Sequence, residues 1–216
     1  MLKLMLLAGA VALIPVSSSA QVVNGGFEAP NVAHPCCNTV PPASLPGWTV
    51  NTGNVNVVNG TFSSVAGNLA FEGNQYLDLV GQGGVGSISQ IVSTVAGQSY
   101  NLSFMYSHNV FSGVPSASAA VSLDGLADVI IHSTGSNANL DWQNYSGSFV
   151  ATGPSATLLF TNLSGGTNEG IFLDAVSLTA AVPEPSTWAM LLIGFFGIGA
   201  ILRTPRRKRN VAVSYA

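Results

Sequence analysis

The feature that most constrains the fold is a series of short segments in which apolar and polar residues alternate. In the stretch NQYLDLVG, Tyr76 and Asp78 fall on one face of an extended chain, and Leu77 and Leu79 fall on the other. Because side chains alternate between the two faces of a strand, this pattern predicts β-strands. Gly, Asn, Ser and Pro interrupt the segments about every eight to twelve residues. We therefore predict an all-β fold, an antiparallel β-sandwich of two sheets and jelly-roll type.

The charges of the chain are separated along its length. Residues 21–182 contain eight acidic residues and neither Lys nor Arg, a formal charge of −8, whereas five basic residues lie beyond residue 202. Neutralising the phosphates of nucleic acids requires Lys and Arg, and so does attraction to anionic lipids. We call residues 21–182 the body of the chain. We expect the body to bind neither nucleic acid nor anionic lipid, which leaves cations and neutral polar ligands as partners.

The first twenty residues have the pattern of an export signal. Lys3 precedes an apolar segment, and the small residues that end at Ala20 fit cleavage before Gln21. The apolar segment is short for a membrane span, which makes a retained N-terminal anchor the weaker interpretation. We predict a signal peptide over residues 1–20 and one β-sandwich domain over residues 21–180.

Residues 181–216 combine three features in sequence. A proline-containing motif at 182–185 is followed by an uncharged segment at 186–202 and a basic tail at 203–209. As a helix the uncharged segment would be about 26 Å long, which is thin for a membrane span but sufficient, and the basic side is expected to stay in the cytoplasm. We predict one C-terminal transmembrane helix. The basic residues that stop transfer are Arg203, Arg206, Arg207, Lys208 and Arg209.

This ending resembles the PEP-CTERM sorting signal of exported bacterial proteins, also named the ice-binding protein C-terminal domain. The residues that match its motif are Val182, Pro183, Glu184 and Pro185. The resemblance implies processing by an exosortase, a membrane transpeptidase of Gram-negative bacteria that make exopolysaccharide. A precursor anchored in the inner membrane would then reach the cell surface or the extracellular matrix. The alternative is an ordinary anchor that is never cleaved, and the segment NVAVSYA after the basic tail departs from the usual pattern.

The order of short motifs in the body is similar to that of galactose-binding-like jelly-roll modules. VVNGGFEAP opens the mature chain, LPGWTV and AFEGNQYLDL follow, and IFLDAVSL closes it. These modules include carbohydrate-binding modules and the choice-of-anchor and DUF642 cell-wall groups. The resemblance implies a structural calcium ion between Glu28 and Asp174, whose oxygen shell Asn24 could complete. The alternative is that Glu28 ends a strand and Asp174 caps a turn in water.

A sugar-binding surface needs aromatic faces and hydrogen-bonding side chains. Trp48 and Phe104 lie in positions that favour the core rather than the surface. Side chains at predicted strand ends and turns are better candidates, although packing or simple exposure remains the stronger explanation for any single one of them. These candidates are Tyr106, His108, Asn109, Trp142 and Tyr145.

The two cysteines, Cys36 and Cys37, are adjacent. Export would allow a disulfide to persist, and three states remain open: a vicinal disulfide, an intermolecular link or free thiols. A zinc site with His34 would lack a clear fourth ligand.

The sequence predicts no catalytic residues. It lacks a Gly-x-Ser-x-Gly nucleophile motif, its glycine-rich GQGGVG segment lacks the Lys of a phosphate-binding loop, and no spacing singles out two carboxylates for glycoside hydrolysis. We predict an exported, non-catalytic carbohydrate-binding or adhesion module associated with exopolysaccharide or biofilm. The alternatives are a structural surface protein without a small ligand and a glycoside hydrolase.

Overall fold

The structure is a computed structural model, and it describes residues 21–33, 37–40, 44–62, 65, 67–82, 84–111, 113–164, 169–181 and 185–203. The predicted signal peptide, the motif residues Val182, Pro183 and Glu184, and the basic residues from Arg206 onward lie outside the described residues. The chain divides into two compact units, residues 1–181 and residues 182–216.

The alternating segments of the first unit form β-strands. Their bounds are β1 (Cys37–Val40), β2 (Thr49–Thr52), β3 (Val55–Asn59), β4 (Gln75–Asp78), β5 (Val80–Gly81), β6 (Gly84–Val85), β7 (Ser87–Ser93), β8 (Ser99–His108), β9 (Ala117–Leu123), β10 (Leu126–His132), β11 (Gln143–Val150), β12 (Ser155–Ser164) and β13 (Ile171–Ala180).

Two antiparallel sheets contain nearly all of these strands. The first sheet has six strands in the order β1-β3-β4-β13-β8-β11, and the second has five in the order β10-β9-β12-β7-β2. Strands β5 and β6, which contain Gly81, Gly84 and Val85 of the glycine-rich segment, pair with each other as a short antiparallel ribbon. The predicted all-β antiparallel sandwich is confirmed.

The main core lies between the two sheets. On β9 the alternation is simple, because Ala117, Ala119, Val121 and Leu123 are buried while the residues between them are partly exposed. Trp48 and Phe104 both lie in this core, as the sequence predicted, and the Phe160 ring packs against both of them.

The first sheet is buried on its outer face as well. All four residues of β4 are buried, so its alternation does not separate a core face from a solvent face. A second apolar cluster covers the outer face, built from Val58, Tyr76 and Phe172 on the strands together with Leu69 and Leu140 from loops. The loops that cover this face create the site described below.

The first and last motifs of the body meet through their backbones. The Val176 amide donates a hydrogen bond of 3.0 Å to the Gly25 carbonyl, at the position where the pairing of β13 with β8 shifts register between Asp174 and Ser177. Gly25 comes so close to the Val176 carbonyl that a Cβ atom would collide with it. Glycine is therefore required at residue 25 by close backbone packing.

The described part of the second unit forms the helix α1 (Pro185–Leu202), over the segment 186–202 that the sequence predicts as a transmembrane helix. Its described apolar side chains, among them Phe195, Phe196 and Ile198, are exposed. No helix in the described part of the chain combines the length and the hydropathy of a membrane-spanning segment.

Candidate functional site

A cavity of about 320 Å³ opens on the covered outer face of the first sheet. This volume lies at the lower end of the range of about 300–1,000 Å³ that is usual for small-molecule sites. We call this cavity the sheet pocket. Its described lining residues are Cys37, Asn56, Val58, Phe62, Tyr76, Asp78, Gln82, Asn109, Phe111 and Phe172.

Strand register places the residues of the pocket floor side by side. Asp78 on β4 lies opposite Asn56 on β3 and opposite Phe172 on β13. In the next row Val58 pairs with Cys37 and with Tyr76. Directly opposed residues of antiparallel strands point to the same face, so these six side chains form a continuous floor.

Two aromatic rings from loops stand above this floor. The Phe62 and Phe111 rings meet edge to face with centroids 5.3 Å apart, and both side chains are only partly buried. The Tyr76 ring below packs against Phe172 at 4.7 Å and Trp142 at 5.7 Å. The pocket thus combines apolar ring surfaces with amide and carboxyl groups.

Asp78 is the one acid among the described lining residues, and 1% of its surface is exposed. Its Oδ1 accepts the Val80 amide at 2.9 Å, and its Oδ2 accepts the Asn109 side-chain amide at 3.0 Å. Burial nevertheless raises the pKa of Asp78 to about 8, because these hydrogen bonds and a third from the Gly170 backbone do not offset the loss of water around a charged carboxylate. Asp78 is therefore mostly protonated and neutral at pH 7.

Tyr76 is fully buried, and its hydroxyl has no hydrogen-bond partner within the described part of the chain. Burial, and after it the Asp78 carboxyl, raises the pKa of Tyr76, so the hydroxyl keeps its proton. An unpartnered buried hydroxyl costs about 1–3 kcal/mol, and buried polar groups in native proteins are nearly always bonded. A ligand hydroxyl could supply the missing partner.

Asn109 is the one ligand candidate from the sequence that lines the sheet pocket among the described residues. Its backbone amide donates to the Gly170 carbonyl, and its Oδ1 accepts the Phe111 amide. Asn109 therefore fixes the loop that carries Phe111 above the floor.

The other ligand candidates lie elsewhere. The Trp142 ring packs against Tyr76 and Phe172 in the outer-face cluster without lining the cavity, and its Nε1 donates to the Leu69 carbonyl. Tyr106 and Tyr145 point between the sheets, where their hydroxyls donate to Gln143 and Asp128 respectively. His108 also lies between the sheets. No contact in the structure tests whether these four residues bind a ligand.

His108 and His132 form a buried pair that joins the two sheets. Their Nδ1 atoms are 2.7 Å apart, and each Nε2 faces a carbonyl oxygen, that of Val114 for His108 and that of Asp141 for His132. These three hydrogen bonds require three ring protons, whereas two neutral imidazoles carry two. Burial, and after it the neighbouring His132, lowers the pKa of His108. The pair can satisfy all three bonds only by sharing one additional proton.

Glu28 and Asp174 hold the same loop from two sides. Glu28 Oε1 accepts the backbone amides of Asn74 and Gln75 at 2.7 and 2.9 Å. Asp174 Oδ2 accepts those of Phe71 and Glu72 at 2.9 and 3.1 Å. The two carboxylates thus accept different backbone amides of one loop, residues 71–75.

The predicted calcium ligands have contacts that need no metal. Asn24 is bonded through both side-chain atoms to Ala29, and both Asp174 oxygens accept amides. Among the described residues no group of three or more His, Cys, Asp or Glu side chains is close enough to hold a metal ion. Calcium binding by Glu28, Asp174 and Asn24 stays a prediction.

Removal of calcium tests this prediction directly. If calcium joins Glu28 to Asp174, a chelator should lower the melting temperature of the full chain, and D174N should abolish that response. D174N alone decides nothing, because it also removes an acceptor of two backbone amides. A melting curve that is identical with and without chelator would exclude a structural calcium ion.

Cys37 lies at the edge of the sheet pocket and is disulfide-bonded. The chain has one other cysteine, Cys36, which lies outside the described residues. The free-thiol interpretation of Cys37 is therefore wrong.

Comparison with protein families matches residues 20–178 to a family described as "Protein of unknown function (DUF642)". The chain belongs to the DUF642 family. This result confirms one of the groups that the motif order indicated, and no curated protein matches the chain.

Solved structures similar to this DUF642 domain include carbohydrate-binding modules. TmCBM61, solved in complex with beta-1,4-galactotriose, has a TM-score of 0.50 and 17% identity over 74% of this chain and 99% of its own. A family 16 carbohydrate-binding module has a TM-score of 0.47 and 15% identity over 73% and 98%. The CBM22-1 xylan-binding domain from Paenibacillus barcinonensis Xyn10C has a TM-score of 0.42 and 16% identity over 70% and 100%. At 17% identity the similarity to TmCBM61 shows a shared fold and nothing beyond it.

Proposed function

We propose that this DUF642 protein is a non-catalytic carbohydrate-binding or adhesion module that holds a sugar residue in the sheet pocket. The observation that carries the proposal is the pairing of the Phe62 and Phe111 rings with the polar groups of Asn56, Asp78 and Asn109 in one cavity. Sugars present apolar ring faces and hydroxyl groups together, and this lining matches both. The galactotriose complex of TmCBM61 supports the proposal, because it has the same fold.

Catalysis is the weaker alternative for the same pocket. Glycoside hydrolysis uses two carboxyl groups on either side of the bond that is cleaved. Asp78 is the one carboxyl group among the described lining residues. A binding function needs only the lining that is present, whereas a hydrolase would require a second acid from outside it.

Truncation of Phe111 tests the binding function. We expect F111A to weaken binding of the full chain to its best glycan on a polysaccharide array about tenfold, or ~1.4 kcal/mol, since one aromatic face is removed. I91A is the matched control, because Ile91 is an apolar residue on the second sheet with 75% of its surface exposed. Retention of no glycan by the wild-type chain would instead favour a purely structural surface role.

We further propose that residues 181–216 are an exosortase-type sorting signal and that the protein acts at the cell surface or in the exopolysaccharide matrix. The order of the proline motif, the apolar helix α1 and the basic tail supports this. The replacement P183A/E184A/P185A should then leave an uncleaved precursor in the membrane fraction, while S214A beyond the basic tail should be processed normally. Mass spectrometry of the C-terminus measures both, and an intact wild-type C-terminus would contradict processing.

A further inference from the structure

We propose that the sheet pocket selects uncharged sugars over acidic ones, and that the Tyr76 hydroxyl is the group on its floor that a sugar hydroxyl binds. This inference rests on the proposed carbohydrate-binding function and adds the class of sugar and the anchoring atom.

The unpartnered Tyr76 hydroxyl is the first observation. Among the tyrosines that the structure describes, Tyr100 is also fully buried, and its hydroxyl accepts the Val95 amide at 3.0 Å, so its polar atom is satisfied within the protein. Tyr76 has no such partner in the described chain, and it lines the cavity. A ligand that offers a hydroxyl there gains a hydrogen bond and relieves the cost of the unpartnered group.

The second observation is the absence of positive charge around the floor. The described lining offers the side-chain amides of Asn56, Gln82 and Asn109, the Asp78 carboxyl and the Tyr76 hydroxyl, but no Lys, Arg or His. Residues 21–182 contain no Lys or Arg at all. The carboxylate of an acidic sugar would lose its water here without gaining a cationic partner, which is costly.

The ionisation states of the floor residues also favour uncharged sugars. The elevated pKa values of Asp78 and Tyr76 mean that both groups hold their protons at neutral pH and present O–H donors beside amide donors and acceptors. The negative charge of Glu169 also raises the pKa of Asp78, and the same charge would repel an anionic ligand nearby. A neutral hydroxyl can donate to or accept from amide, carboxyl and phenol groups, whereas a carboxylate meets no cationic partner in the described lining.

Matched pairs of acidic and neutral polymers test the selectivity. The probes are polygalacturonate, polymannuronate and polyglucuronate, each compared with the same polymer after its carboxylates have been reduced to primary alcohols. We expect the full chain, kept in detergent, to bind at least one reduced polymer ten or more times more tightly than its acidic parent. Equal or tighter binding of the acidic parent would overturn the selectivity while the binding function stands. Binding to neither member of any pair would overturn both.

Binding at high salt distinguishes selectivity that arises in the pocket from repulsion by the net negative charge of the body. At 0.5 M NaCl the screening length is about 4 Å, so long-range repulsion by the acidic body is largely removed. Preference for the reduced polymer should persist, because desolvation inside the pocket does not depend on screening in bulk water. Loss of the preference at high salt would assign it to net charge and overturn the pocket mechanism.

Two conservative substitutions test the anchoring atom. We expect Y76F to weaken binding to the reduced polymer about tenfold without lowering the melting temperature, because it removes a hydroxyl that has no partner in the protein. Y100F is the matched control: it should leave binding unchanged and lower the melting temperature, because the Val95 amide loses its acceptor. Unchanged affinity in Y76F, or a lowered melting temperature with unchanged affinity, would overturn the role of Tyr76.

Discussion

The folded protein is expected to lose stability as the pH rises from about 5 to about 8. Burial raises the pKa of Asp78 to about 8 and that of Asp174 to about 7, whereas both carboxyls titrate near 3.8 when exposed. The folded state therefore binds more protons than the unfolded state in this range, and the free energy of unfolding falls with pH by about 1.4 kcal/mol per pH unit for each carboxyl. Denaturant unfolding at a series of pH values measures the slope. A free energy that rises across this range would contradict the burial of neutral acids.

The D78N substitution distinguishes the contribution of Asp78 to this pH dependence from that of Asp174. Because the amide cannot ionise, we expect the slope between about pH 5 and 7 to fall to roughly half, with D78N more stable than the wild type above pH 8. D124N is the matched control, since Asp124 is only partly buried and its hydrogen bonds from Thr152 lower its pKa. A lowered pKa gives stability that is lost as the pH falls. D124N should therefore leave unchanged the fall in the free energy of unfolding between about pH 5 and 8. An unchanged slope in D78N would show that Asp78 ionises normally.

The second large effect is expected from G25A, which should destabilise the sandwich by about 3 kcal/mol. The added methyl group would meet the backbone carbonyl of Val176, which cannot rotate away as a side chain can. The hydrogen bond between the Val176 amide and the Gly25 carbonyl would be displaced with it. Thermal and denaturant unfolding of the full chain provide the measurement.

G153A is the matched control for G25A. Gly153 also lies outside the strands, and a methyl group there would have nothing nearer than the Ser155 carbonyl oxygen at 3.8 Å. Its stability should stay within about 0.5 kcal/mol of the wild type. Equal stability of the two variants would mean that the N-terminal motif does not pack against β13 as described.

Local patterns predicted the strands well because the period of two is a property of neighbouring residues. Leu77 and Leu79 were assigned correctly to one face, and Trp48 and Phe104 to the core. Local pattern does not predict the burial of the opposite face of β4, because the loops that cover Tyr76 and Asp78 are distant from them in sequence. No local signal marks Asp78 as a neutral acid, since its altered pKa comes from burial by residues distant in sequence.

The candidate site was predicted only in part for the same reason. Asn109 was chosen as a strand-end residue, and it does reach the sheet pocket. Tyr106 and His108 share that strand end but point between the sheets, because the strands that pair with β8 on both sides fix which of its faces is inside. Phe62 and Phe111 gave no signal in the sequence, because a loop aromatic is as often packed as exposed.

The sequence by itself determined the strand content, the two-layer β architecture, the C-terminal helix and the separation of negative and positive charge, because each depends on residue type and short spacing. Only the tertiary structure decided where a ligand could bind. The pocket joins Asn56, Asp78 and Phe172 from three strands whose order in the sheet is not their order in the chain. Strand pairing and loop coverage set the burial of Asp78 and Tyr76, and burial sets their chemistry.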